Sequence, residues 1–325
     1  MDIKNRKINY LRISITDRCN FNCRYCVPKK PSCHVPHEAV ARYEEILKLV
    51  DVAVEVGITK IRITGGEPFV RKGIFDFLEK ICLVKELKDI SITTNASLLT
   101  PDKLQHLWDM GIKRLNFSLD TLNNEKFSYI TGKDQFNRVF DTILFAEKVG
   151  FSPIKINAVI LKGINDDEIS SLAGLSIDHP FQVRFIEYMP MGNSNIDNSQ
   201  QILTSHIKQV IESSLGSLIS VKKSINDGPA KKFRLENSKG EIGFITPVSE
   251  HFCYDCNRLR LTAQGKLRPC LLDDFEEDIL TPLRNGASKK ELKALMKKVI
   301  LSKPSSHKLG YDNNKILSQM YSIGG

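Results

Sequence analysis

Cys19, Cys23 and Cys26 fall together as CNFNCRYC, and Cys253, Cys256 and Cys270 form a second group more than two hundred residues later. Cysteines so grouped form disulfides, bind zinc or hold an iron–sulfur cluster. In the first group three thiolates can ligate three irons of a [4Fe–4S] cluster, leaving the fourth iron open to a small ligand. The competing arrangement is zinc, completed by His34 or His37, or by Cys33 as a fourth thiolate. In the second group C-x2-C is a common zinc half-site, with His251 adjacent. Arg258 and Arg260 follow it, alternating about Leu259, so on a strand both guanidinium groups share a face. Two arginines beside a metal site suit a phosphate chain; a solvated basic strand face is the plainer alternative.

The rest of the sequence narrows these choices. The N-terminal MDIKNRKINYLRISITDRC has no apolar signal region, so a cytoplasmic location is expected, which argues against a disulfide framework for the eight cysteines. No run of about eighteen apolar residues occurs, so no membrane span is expected. Of the 325 residues 41% are hydrophobic and 26% charged, as in a soluble globular protein. The balance of 47 basic and 38 acidic residues gives +9 and points to an anionic ligand. The basic residues are scattered, with no aromatic-plus-basic signature, which argues against nucleic acid.

The elements that must position these groups read as strands at 10–16, 58–64, 89–95, 113–120, 154–160 and 182–189. Helices are expected at 38–57, 73–87, from Pro101 after a Thr100 cap to Gly111, near 137–149 and from Asp166. Such βα alternation is the signature of a parallel sheet, and about six units suit a partial (β/α)6 TIM-like barrel. A flat doubly wound sheet is not excluded by composition. Past residue 190 a polar connector, short strand-like pieces and a helix over KKELKALMKKVIL read as an α+β extension. The division is therefore 1–190 and 191–325. The first cysteine group leaves strand one at its carboxyl end, the edge where parallel α/β proteins bind ligands.

C-x3-C-x2-C directly after a first barrel strand, with GGEP (65–68) after the second, resembles the radical S-adenosylmethionine (radical SAM) superfamily. The resemblance implies that Cys19, Cys23 and Cys26 hold a [4Fe–4S] cluster whose open iron is chelated by S-adenosylmethionine. It further implies that Tyr25 and Met189 pack by the adenine, that Gly66 offers backbone to the methionine amino group, and that Ser118 meets the ribose or carboxylate. Such a site makes a 5′-deoxyadenosyl radical, which must be shielded from water.

The ordered set TDRCNFNCRYC, RITGGEP, TTN, NFSLD, KGIND, RFIEYMP, C-x2-CNRLRLT, GKLRPCL and a terminal IGG resembles, over essentially the whole chain, the MoaA-type GTP 3′,8-cyclases of molybdenum cofactor biosynthesis. That resemblance implies a second [4Fe–4S] cluster on Cys253, Cys256 and Cys270 that binds the purine of GTP. It implies GTP contacts at Arg12, Arg62, Thr93, Lys155, Arg258, the Leu259 main chain and Arg260. It implies a terminal Gly324–Gly325 that enters the active site, with Arg184 the candidate to meet it. The implied reaction removes the ribose 3′ hydrogen and joins that carbon to carbon 8 of guanine, giving (8S)-3′,8-cyclo-7,8-dihydroguanosine triphosphate. A cyclic pyranopterin monophosphate synthase would take the product, a reduced flavodoxin or ferredoxin would supply electrons, and the chain would be a monomer or homodimer.

Departures from the family pattern are CVP for CMP and TTNA for TTNG, and Cys33 has no assignable role. Two other readings remain. A radical SAM peptide-modifying enzyme would carry more C-terminal cysteines and leaves NRLRLT and IGG unexplained. A zinc-stabilised nucleic-acid-binding protein would hold zinc and no iron.

Overall fold

The computed structural model describes residues 1–28, 34–222, 228–307, 309 and 316–324. Its parallel strands share one pattern. β1 (Tyr10–Ser14) alternates Tyr10, Arg12 and Ser14 with Leu11 and Ile13. β2 (Lys60–Thr64) alternates Lys60, Arg62 and Thr64 with Ile61 and Ile63. β3 (Asp89–Thr94), β4 (Arg114–Ser118), β5 (Ile154–Ile160) and β6 (Phe181–Glu187) continue it. Successive side chains on a strand point to opposite faces. One face of the sheet is therefore apolar, and Leu11, Ile13, Ile61, Ile63, Leu115, Phe117, Ile154 and Ile156 are fully buried on it. The other face is polar and lines the interior of the curved sheet.

Helices cover the apolar face: α1 (Tyr43–Glu55), α2 (Ile74–Cys82), α3 (Pro101–Asp109), α4 (Asn124–Thr131), α5 (Phe136–Val149) and α6 (Ile169–Asp178). Thr100 caps α3 by accepting from the Lys103 amide, with Pro101 in the first turn, as its sequence predicts. α1 begins later than the 38–57 expectation, after a short 3₁₀ turn at His37–Ala39. α2 ends at Cys82, where its apolar stripe of Ile74, Phe77, Leu78 and Ile81 runs out. α4 was not foreseen, although Asn123 caps it and Gly132 ends it. The same holds for α7 (Thr204–Leu215), which buries Ile207 and Ile211.

The larger difference lies in the C-terminal third. Besides β7 (Ile219–Val221), β8 (Lys231–Arg234), β9 (Glu241–Ile245), β10 (Arg258–Leu261), β11 (Lys266–Arg268) and β12 (Glu277–Asp278), it holds α8 (Leu280–Arg284), α9 (Lys289–Leu301) and α10 (Met320–Ile323). β9 and β10 join the same sheet in parallel, β9 beside β6 and β10 beside β1. The order is β12-β11-β10-β1-β2-β3-β4-β5-β6-β9-β8-β7, so the parallel array runs from β10 to β9, with antiparallel pairs at each end. β10 fits because RLRL has the same phase as YLRIS: Leu259 pairs with Leu11 and Arg260 with Arg12.

Glu187, wholly buried, ends β6 and ties two other segments to it. Its carboxylate accepts from the amides of Thr204 (3.0 Å), Val248 (3.1 Å) and Ser249 (3.0 Å). No described helix is long and apolar enough to cross a membrane.

Truncating a side chain on the helix-covered face removes transfer energy and leaves a cavity. Phe117→Ala should lower the free energy of unfolding by about 3–5 kcal/mol, read from an anaerobic denaturant titration. Exposed Lys72→Ala should change it by less than about 0.5 kcal/mol.

Candidate active site

The strand register stacks the interior face in layers. One layer sets Arg260, Arg12 and Arg62 side by side on β10, β1 and β2; the layer below sets Arg258, Tyr10 and Lys60 together. Neighbouring strands lie about 4.8 Å apart, so these cations crowd one another out of water. Burial, with mutual repulsion, brings the Arg12 guanidinium down to about 9 and Arg260 well below its ordinary value. Arg62 is lowered by the same burial and by Arg114. Burial would raise the Tyr10 phenol, but Arg62, Arg12 and Arg258 more than offset it. Among the described residues the Tyr10 hydroxyl, Thr93 Oγ1 and Asn116 Oδ1 are buried on this face without a hydrogen-bond partner. Lys155 is buried two residues beneath Asn157, and buried Arg184 donates from Nε to Gln182 Oε1 at 2.7 Å. Packed cations with orphaned hydroxyl donors suit this face to a polyanion.

The two cysteine groups lie at opposite ends of this row. The first follows the carboxyl end of β1; Cys253 and Cys256 precede the amino end of β10, and Cys270 follows antiparallel β11 back to that same end. With β1 five residues long, the ends stand roughly 17 Å apart. One cavity of about 290 Å³ joins them, and all six cysteines line it, together with Arg12, Arg62, Arg258 and Arg260. None of the six forms a disulfide.

The loop after β1 is held by close backbone contact with the GGEP turn. The Gly66 amide donates to the Thr16 carbonyl at 2.7 Å, and the Glu67 amide to the Arg18 carbonyl at 2.9 Å. A Cβ at Gly66 would lie 2.4 Å from the Arg18 oxygen and 3.0 Å from the Cys19 amide nitrogen. Glycine here lets the two turns touch, a reason beyond any ligand contact. Buried Glu67 accepts from the Asn95 amide (2.7 Å) and Thr94 Oγ1 (2.8 Å), and burial raises its carboxyl to about 7. Tyr25 donates to Asp120 Oδ2 at 2.8 Å, and burial lifts Asp120 to about 6. Ser118 and Met189 line the same end. Glu67, Asn95 and Asp120 close this mouth; their motifs GGEP, TTN and NFSLD were visible, but not their mutual bonds.

The two thiol groups differ electrostatically. Burial pushes Cys19 up to about 11, Cys26 up to about 12 and Cys23 well above its ordinary value. No described cation offsets that, so a bound metal is what would hold them as thiolates. Burial also raises Cys256, but Arg258 and Lys303 reverse it and bring it down to about 6. No three His, Cys, Asp or Glu side chains among the described residues gather around a single-ion point. An iron–sulfur cube is wider than one ion and spreads its thiolates, so both donor sets fit such a group.

The chain's end enters this interior. α10 packs Ile323 and Met320 against Leu272 and Met191, and Tyr321 lies beside Cys26. Gly324 then turns at φ 69°, and Arg260 Nη1 donates to its carbonyl at 2.9 Å. A Cβ there would sit 2.7 Å from Thr64 Cγ2 and 3.1 Å from Ser14 Cβ. Arg260 is thus the partner of the Gly324 carbonyl, and Arg184 lines the same cavity. Gly325 and Cys33 lie outside the described residues. Leu259 turns its side chain outward into the core.

Family models match in two blocks: the radical SAM superfamily over residues 13–175 and Molybdenum Cofactor Synthesis C over 181–309. A GTP 3′,8-cyclase of Thermodesulfovibrio yellowstonii is 46% identical across 99% of this chain and 98% of its own. One from Desulforamulus reducens is 46% identical over the full length of both. The chain belongs to the GTP 3′,8-cyclase family. Among solved structures, Streptococcus suis SuiB bound to S-adenosylmethionine superposes at TM-score 0.63 with 17% identity, over 85% of this chain and 64% of SuiB. Native anSMEcpe with bound AdoMet superposes at 0.61 with 16% identity, over 92% and 82%. At such identities these likenesses show the fold alone. As a family member the chain carries a radical SAM [4Fe–4S] cluster and S-adenosylmethionine.

Gly324→Ala cannot keep both the positive φ and the contact with Thr64. The variant should exchange amide hydrogens over 316–323 faster than the parent, with iron content unchanged. Unaltered protection there would mean that Gly324 does not seat the tail.

Proposed function

We propose that this chain converts GTP to (8S)-3′,8-cyclo-7,8-dihydroguanosine triphosphate, the first step of molybdenum cofactor biosynthesis. The observation that carries the reading is the single cavity with a cysteine triad at each end and Arg12, Arg62, Arg258 and Arg260 between them. Cys19, Cys23 and Cys26 would hold the first cluster, which with S-adenosylmethionine would supply the radical chemistry for removing the ribose 3′ hydrogen. Cys253, Cys256 and Cys270 would hold a second [4Fe–4S] cluster facing the purine.

The remaining work falls to the chain's own groups. Arg258 and Arg260 take the triphosphate, whose charge relieves the repulsion in the buried arginine layer. Arg12, Arg62, Thr93 and Lys155 orient the ribose and phosphates from neighbouring strands. Tyr25, Gly66, Ser118 and Met189 frame the S-adenosylmethionine, with Asp120 steadying Tyr25 through its hydroxyl. Gly324 and Gly325, with Arg184, shape the space where the ring closes. The polar walls are fixed by the sheet, so substrate and radical source meet in a set geometry. Residues 1–190 would form the radical half and 191–325 the purine-binding half. A flavodoxin- or ferredoxin-type reductant would supply electrons, and a cyclic pyranopterin monophosphate synthase would take the product.

Anaerobic incubation with GTP, S-adenosylmethionine and reductant should give 5′-deoxyadenosine and the cyclised nucleotide together; cleavage of S-adenosylmethionine with GTP unchanged would overturn the reading. The reconstituted protein should bind about eight irons. Cys19, Cys23 and Cys26 replaced together by Ala should leave about four and abolish the cleavage. In a separate binding measurement, Arg258→Ala should weaken GTP by about 1.5–3 kcal/mol, tenfold to a hundredfold or slightly more, and guanosine far less. Equal losses for both ligands would make Arg258 a residue of the fold.

A further inference from the structure

Behind the second cysteine group lies a cation that no step above uses. Lys303 follows α9 and is 3% exposed. Its Nζ donates to the Arg258 carbonyl at 2.8 Å and to the Pro269 carbonyl. Those carbonyls belong to the two arms of the site: Arg258 opens β10 just after Cys256, and Pro269 immediately precedes Cys270. An ammonium has three donors; two are spent on the arms, and the residue lines the cavity. The Lys303 backbone is itself held, since Arg6 Nη2 donates to the carbonyls of Lys303 (3.1 Å) and Pro304 (2.9 Å). Arg6 Nη1 reaches the third ligand's segment, donating to the Cys253 carbonyl at 2.7 Å.

The charges around this knot do not balance. Arg6 is neutralised by Asp2, a buried pair at 2.6 Å. The charged or titratable groups that act most on Lys303 are Cys256, Cys270, Arg258 and Arg6. A buried ammonium facing other cations is unfavourable unless an anion stands near. An apolar side chain would fill the space without that cost. The nearby groups that can carry negative charge are Cys256 and Cys270 once they ligate metal as thiolates, and a cluster held by them gains negative charge on reduction.

We propose that Lys303 is a positioning residue for the second cluster, clamping the two arms that carry Cys256 and Cys270 and raising the cluster's reduction potential with its fixed positive charge. The proposal rests on the two-cluster reading. Lys303 thereby ties the electron affinity of the purine-side cluster to the seating of Arg258, one of the proposed triphosphate ligands. The N-terminal Asp2–Arg6 pair holds Lys303 and the Cys253 segment in one frame.

The test uses the full chain with Cys19, Cys23 and Cys26 replaced by Ala, so that any cluster signal belongs to the second group. Lys303→Met removes charge and donors; Lys303→Gln removes charge and keeps a donor. Midpoint potentials are read by electron paramagnetic resonance during redox titration. Both variants should titrate at more negative potential than the parent. Unchanged potentials in both would overturn the proposal, and a shift in the Met variant alone would overturn its electrostatic half. The same substitutions are made in the chain with all six cysteines. Iron lost there from the second group only, with S-adenosylmethionine still cleaved, shows the clamp failing and supports the assignment. Iron lost from both groups in both variants makes Lys303 a folding residue and overturns it. A parent without iron at the second group would instead sink the two-cluster reading.

Discussion

The structure depends on one electrostatic conflict: arginines from three adjacent strands forced into a single layer, Arg12 and Arg260 buried and Arg62 half-buried. Arg260, Arg12 and Arg62 share a register that hydrogen bonding of the sheet imposes, so none can retreat without breaking a strand pair. The apolar partners in those strands, such as Leu259, Leu11 and Ile61, fix the phase from the other side. Helix packing thus holds cations together against repulsion. The fold gathers positive charge at its centre, in one cavity with the two cysteine groups.

Much of this was legible in the chain. Period-two alternation in RLRL told that its two arginines share a face, and the cysteine spacing marked two metal-binding groups while leaving zinc and an iron–sulfur cluster both open. The helix caps at Thr100 and Pro101 were readable because their chemistry is local. What escaped was non-local. Nothing in KKFRLE or EIGFITPV announces that β9 will extend the sheet beyond β6, because strand pairing is settled by the partner and not by the strand. The extension looked like an appendage because its pieces are short and irregularly spaced. In space they flank the first and sixth strands.

The tail and the lysine illustrate the same limit at single residues. A terminal double glycine gives no hint of its neighbours; only the folded chain shows that Gly324 meets Ser14 and Thr64, and that its carbonyl is taken by Arg260. Arg260 thereby belongs both to the arginine layer and to the seat of the tail. Lys303 reads as one of many lysines near a basic helix, and its burial between two carbonyls is invisible until both arms are in place. Gly66 was read for its openness to a ligand. Its tight fit against Arg18 shows that the same absence of a side chain also sets the path of the cysteine loop.

The pairing of β1 with β10 has a consequence for how the protein is made. β1 leaves the ribosome well before its neighbour, which lies about 250 residues downstream. At about 5–20 residues per second the wait is roughly 10–50 s. Throughout it, one edge of β1 has unpaired amides and carbonyls, and the first cysteine loop hangs from an incomplete wall. Long-range contacts of this kind slow folding and expose sheet edges to wrong partners. The nascent chain therefore passes through a state in which its thiols are accessible while its shielding interior is absent. Metal loading before release would meet an open half-shell, and loading after release a closed vessel.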